Sequence, residues 1–268
     1  MYDFTYQKPS SVADAAKLLS ADAEAKALAG GMTLIPVLKQ RLNKPSTLVD
    51  LAGTGLAGIS VAGGKVRIGA MTTHAAVAGS AEVRKAIPAL ATLAGGIGDK
   101  EVRHRGTIGG SLANNDPTAD YSAAALALGA AIVTNKRTIA ADDYFQGMFT
   151  TALEPGELIT AVEFPVPEKA AYTKFPNPAS RYAIVGVFVA QGPSRGPSGV
   201  RVAVTGASES GVFRHKAMEA ALAKSFSAAA LADIATSAEG LNSDIHASAE
   251  YRAHLIGVMA RRAVAAAG

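Results

Sequence analysis

The chain has 268 residues, 49% hydrophobic and 18% charged, with a formal net charge of +4 and no cysteine. That composition supports a packed core and argues against disorder, and the missing cysteine excludes disulfides, thiolate catalysis and cysteine-held zinc or iron–sulfur centres within this chain. The mild basic excess lacks any Lys/Arg run interleaved with aromatics, so nucleic-acid binding is not expected.

Residues 1–55 read as strand, helix, strand, helix, strand. Ser11 is placed to cap a helix through Leu19, with Val12, Ala15, Ala16 and Leu19 at helical spacing. A short strand over 26–29 runs into Gly30-Gly31, a helix follows over about 34–42, and 47–51 is a strand. In the second segment, 56–167, Gly63-Gly64 joins two β-rich runs as a hairpin. Helices are predicted near 73–79, 81–94 and 118–129, and strands near 131–134, 137–140 and 158–164. Pro165 and Pro167 mark a boundary.

The third segment, 168–268, carries strands near 172–175, 182–191 and 200–207, the last two joined by a long turn over 192–199. Helices are predicted near 214–223, 227–239 and 248–266, the last with Arg261 and Arg262 suiting its dipole. The whole reads as an α+β protein: two small α/β subdomains, then an antiparallel sheet with helices. The N-terminus, Met1-Tyr2-Asp3-Phe4, shows no signal peptide, and no apolar run reaches the ~18 residues of a membrane span, so a cytoplasmic protein is expected.

Three glycine clusters stand out. Ala29-Gly30-Gly31-Met32-Thr33 lies between a strand and a helix, where glycines bring backbone N–H groups close to a phosphate; an ordinary strand–helix turn is the alternative. Thr107-Ile108-Gly109-Gly110-Ser111 is followed by polar turn residues from Asn114 to Asp120. Asp116 or Thr118 could cap the next helix, with Asp120 in its first turn either accepting hydrogen bonds from a polyol or merely complementing the dipole. Gly53-Thr54-Gly55-Leu56-Ala57-Gly58 imitates a dinucleotide fingerprint, but strand-forming Ile59-Ser60-Val61 follows where a helix is required, so a Rossmann site is rejected. Lys100, Arg103, His104 and Arg105 either raise the local potential, face a partner, or form a solvated turn.

The two diglycine turns, the run Leu112-Ala113-Asn114-Asn115-Asp116-Pro117-Thr118-Ala119-Asp120, and Ser248-Ala249-Glu250-Tyr251-Arg252-Ala253-His254-Leu255 together resemble the FAD-binding subunit of molybdenum hydroxylases, the carbon monoxide and xanthine dehydrogenase family, across nearly the whole chain. The resemblance implies a two-part FAD-binding domain of the vanillyl-alcohol oxidase type and a smaller C-terminal domain. Ala29, Gly30, Gly31, Met32, Thr33 and Leu34, with Thr107, Ile108, Gly109, Gly110, Ser111 and Asn114, would then cradle noncovalent FAD, the pyrophosphate on backbone donors of both turns. Asp120 would bind the ribityl chain, Ile97, Ile108 and Ile159 would approach the flavin, Lys174 would contact the cofactor, and Tyr182 would cover the isoalloxazine ring. Met32 stands where the family often has a polar residue, and the cysteine-rich insertion of some relatives is missing.

The resemblance also implies partners: a large subunit with the molybdenum cofactor and a small subunit with two [2Fe–2S] clusters, arranged as a dimer of heterotrimers. Electrons would reach FAD here and leave to an external acceptor. No acid–base constellation for substrate chemistry is evident, since the five His residues form no HExxH or close ligand pair. A stand-alone flavin oxidase is the alternative enzyme, with His104 or Tyr182 as its candidate proton acceptors, and a scaffold without cofactor is the non-enzymatic one.

Overall fold

The computed structural model describes residues 1–192 and 199–268, so the interior of the turn expected over 192–199 lies outside the described residues. Near the N-terminus, strand Thr47–Asp50 lies between Thr5–Gln7 and Lys26–Leu28 in a parallel three-stranded sheet. Ser11 caps helix Val12–Ala21 as expected, its Oγ accepting from the Asp14 amide at 3.1 Å. Ala15 of that helix packs on Val49, Leu51 and Leu158.

A five-stranded antiparallel sheet follows, in the order Ile59–Ala62, Lys65–Gly69, Ile159–Pro165, Ala131–Thr134, Thr138–Ala140. The single helix predicted over 81–94 is two helices, Ala81–Ala86 and Pro88–Gly95. Pro88 has no amide to continue the first and forces Ile87 out of the helical region, to φ −139° and ψ 76°.

Helix Asp120–Leu128 is buried at every position and ends at Gly129 in the left-handed region (φ 61°). It explains the C-terminal sheet, whose strands are Lys169–Pro176, Ala183–Gln191, Val200–Thr205 and Phe213–Arg214. The two central strands are apolar without alternation because both faces are covered. Phe188, Ala190 and Ala203 face the core that includes helix Asp120–Leu128, while Val187, Val189, Val202 and Val204 face helix Ala249–Ala266. The sheet is also tied to the turn before the buried helix: the Gly206 amide donates to Pro117 O at 2.8 Å, and Thr205 Oγ1 to Ala119 O at 2.8 Å.

This is the α+β architecture expected, with two further local corrections. No helix spans 227–239; only a 3-10 turn, Ala228–Leu231, forms there. Asp233, Thr236 and Ser237 offer the backbone competing hydrogen bonds, and Thr236 Oγ1 pairs with His215 Nε2 at 3.1 Å instead. The final helix runs to Ala266, so Arg261 and Arg262 lie before its last turn and do not serve its dipole.

Candidate cofactor site

Strand Lys26–Leu28 delivers the first glycine turn, which enters helix Leu34–Lys39. Gly31 takes φ 75°, which a side chain would strain. A Cβ on Gly30 would strike the Arg105 carbonyl and lie 2.9 Å from Gly106 Cα, so this turn presses against the segment leading into the second. The amides of Gly30, Gly31, Met32 and Thr33 have no partner among the described residues, and Thr33 makes no side-chain cap.

The second turn is not a loop. Thr107 caps helix Ile108–Asn114, which ends at Asn115 in the left-handed region. A Cβ on Gly110 would sit 3.4 Å from Ala29 Cβ, so the two turns meet. The amides of the second are already used: Ile108 N donates to Thr72 O at 3.1 Å, Gly109 N to Ala70 O at 2.9 Å, and Gly110 N to Thr107 Oγ1 at 3.1 Å. The expectation that both turns offer free donors is therefore corrected. The first turn offers them; the second offers the side chains of Ser111 and Asn114 on the cavity wall.

That wall encloses about 410 Å³ and includes Ala29, Gly30, Gly31, Met32, Thr33, Leu34, Ile97, Thr107, Gly110, Ser111, Asn114, Asp120 and Tyr182. A second space of about 490 Å³ shares Ala29 and Gly110 with it and continues past Gly109 to Ile159. Both lie within the roughly 300–1,000 Å³ typical of ligand pockets. Two expected contacts lie elsewhere. Ile108 is fully buried in the core behind the helix and lines neither space. Lys174 Nζ is spent on three carbonyl or carboxylate groups: Gly96 O at 2.8 Å, Arg181 O at 3.0 Å and Asp120 at 3.0 Å. It braces the walls rather than facing the cavity.

Asp120, 5% exposed, begins the buried helix and also accepts from Tyr172 Oη at 2.5 Å. Burial pushes its pKa up, against the pull of Lys174 and Tyr172. Neither Asp116 nor Thr118 caps that helix; Ala119 occupies the cap position, and Asp116 Oδ1 instead accepts from the Thr118 amide at 2.9 Å. Tyr182, half exposed, has its pKa raised by burial and by the charges of Asp116 and Asp120. Its segment is fixed by Asn177, whose Oδ1 accepts from the amides of Ala179 and Ser180 and whose backbone N–H donates to Tyr182 O.

Sequence reasoning missed His74, Gly98, Val102, Ser180 and Arg181 on the wall. His74 is buried, and burial together with the Arg103 charge lowers its pKa to about 4. No sequence pattern marked it. Of the basic cluster, Arg103 donates to Ile97 O and Gly98 O at 2.8 Å, a brace for the wall, and His104 is exposed and off it. The rejected fingerprint forms a 3-10 turn, Leu51–Gly53, followed by a strand. Among the described residues there is no acid or histidine cluster fit for a metal and no helix long and apolar enough to cross a membrane.

Residues 2–167 match the family described as the FAD binding domain in molybdopterin dehydrogenase, and 170–267 match the CO dehydrogenase flavoprotein C-terminal domain. The chain is 39% identical to the carbon monoxide dehydrogenase medium chain of Afipia carboxidovorans, over 97% of this chain and 95% of that one. It is 38% identical to the nicotine 6-hydroxylase medium subunit of Paenarthrobacter nicotinovorans, over 98% and 96%. Among solved structures, a reconstituted CO dehydrogenase from Oligotropha carboxidovorans superposes with a TM-score of 0.87 at 36% identity, covering 99% of this chain and 97% of that one. With its sheets, its cavity between two glycine turns and these matches along its length, the chain belongs to the family of FAD-binding medium subunits of molybdenum hydroxylases, oxidoreductases akin to the carbon monoxide and xanthine dehydrogenases.

Proposed function

We propose that this chain binds one FAD noncovalently and serves as the electron exit of a heterotrimer, between the [2Fe–2S] clusters of a small subunit and an external acceptor. A large subunit would hold the molybdenum cofactor and the substrate, and two heterotrimers would pair. The observation that carries this reading is the cavity itself: four unpartnered amides of one glycine turn lie against a second glycine turn and share one wall with a buried carboxylate.

That donor set fits a dinucleotide. Amides of Gly30, Gly31, Met32 and Thr33 suit diphosphate oxygens, and Gly30 and Gly110 let the two turns pack closely together behind them. Ser111, Asn114 and the Asp120 carboxylate suit a polyol. Ile97 and Tyr182 offer apolar and aromatic surface to a flavin ring on the same wall, and Ile159 does so in the adjoining space. When bound, FAD supplies one- and two-electron redox chemistry; the chain binds and orients it. We also propose the division into 1–55, 56–167 and 168–268, supported by a separate sheet in each part.

Nearly equal identity to subunits named for carbon monoxide and for nicotine supports placing substrate choice in another chain. The stand-alone oxidase gains nothing from His104, which lies off the wall. The test is reconstitution: the purified chain, freed of flavin, should take up one FAD with quenching of flavin fluorescence and no turnover of alcohols. Absence of uptake by a folded chain contradicts the proposal.

A further inference from the structure

His74 follows the cap residue Thr73 at the start of helix His74–Gly79, 5% exposed, and lines the cavity. Its Nδ1 is buried with no hydrogen-bond partner. The ring leans on Tyr121 at 5.4 Å between centroids, and the Tyr121 hydroxyl is likewise buried and unpartnered. Buried polar groups are rarely left this way, so a cavity-facing histidine calls for a function.

The neighbour across from it sharpens the point. Gly106 has φ −59° and ψ 140°, a backbone that any residue adopts. Its glycine is needed for space instead: a Cβ would lie 2.6 Å from His74 Nε2. Gly106 therefore lets the Nε2 edge of the imidazole lie close to its backbone, on the wall that both residues share. The same Gly106 is where the first glycine turn presses in, 2.9 Å from the place a Gly30 Cβ would take. The Nε2 edge thus lies beside the turn that carries the unpartnered amides.

The tautomer follows from the sealed side. A buried N–H with no acceptor is rarer, and costs more, than an unused lone pair. In the neutral ring the proton accordingly rests on Nε2, leaving Nδ1 as the unused acceptor. Arg103, whose like charge also disfavours a protonated ring, is held by the carbonyls of Ile97 and Gly98.

We propose that His74 is a cofactor-binding residue whose neutral imidazole donates a hydrogen bond from Nε2 to a diphosphate oxygen of the nucleotide in the cavity. This rests on the FAD reading above.

Calorimetric titration of the wild-type chain, His74→Leu and His74→Gln with FAD, ADP and riboflavin tests it, together with the melting of each apo form. His74→Leu should bind FAD and ADP about 10-fold more weakly, one lost hydrogen bond to a charged group, and riboflavin unchanged. Its apo form should melt no lower than wild type, because an unsatisfied polar group has been removed. His74→Gln, with a donor near the Nε2 position, should recover part of the affinity. In the wild type the Nε2 nitrogen-15 resonance should move on adding ADP, a readout that needs no variant to fold. Unchanged FAD and ADP affinity in His74→Leu, or an unmoved resonance with ADP bound, overturns the proposal and leaves FAD binding intact. Failure of the wild type to bind FAD sinks the underlying reading itself.

Discussion

The two glycine turns look alike as sequence, and the structure gives them opposite tasks. Gly30-Gly31 opens into helix Leu34–Lys39 with its amides unused, whereas Gly109-Gly110 lies inside the first turn of helix Ile108–Asn114 with its amides spent on Ala70 and on the Thr107 cap. The first can bind an anion; the second supplies smooth backbone for the first to rest on. A diglycine marks close approach, and whether ligand or protein does the approaching is decided by which carbonyls lie opposite.

Four predictions can break or sharpen that contrast, from the largest effect down. The second turn is backed by neutral His74, whose pKa of about 4 lies below the ordinary value of about 6.5. Between those values the unfolded chain holds a proton that the folded chain refuses, so apo stability should fall as pH drops from 6.5 to 4, by up to ~3 kcal/mol from this group. Urea melts across that range should show the slope, and His74→Leu should remove its share.

Gly30→Ala would place a methyl group against the Arg105 carbonyl and part the two turns. FAD affinity should drop about 100-fold, as binding titration will show, since donors displaced by an ångström lose their geometry. Gly109→Ala meets Ala70 Cβ at 2.6 Å and Ala70 O at 2.7 Å, so its methyl group would press into protein. It should cost ~2 kcal/mol of apo stability by overpacking, while FAD affinity of the folded fraction stays near wild type. Thr107→Ala removes the cap that holds Gly110 N, costing ~1 kcal/mol, and should leave FAD affinity unchanged. A large affinity loss in Thr107→Ala or Gly109→Ala would erase the contrast.

The turns that line the cavity were legible in the sequence because diglycine, cap and helix signals are local. Ser11 capped the helix it preceded, and Asp120 opened the helix placed after the second turn. The division of labour was not legible, because the carbonyls of Ala70 and Thr72 reach the second turn only through tertiary packing. Lys174 was expected on the cofactor and instead joins Gly96, Asp120 and Arg181, three segments far apart in the chain. Helix 227–239 failed for a local reason underweighted in an alanine-rich run: polar residues that bind the backbone themselves.

Amide hydrogen exchange of the apo chain and the FAD-loaded chain tests the central claim most directly. Amides of Gly30, Gly31, Met32 and Thr33 should exchange rapidly without FAD and become protected with it, while those of Ile108, Gly109 and Gly110 should be protected in both states. New protection confined to 108–110, with 30–33 still exchanging freely in the loaded protein, would contradict the account.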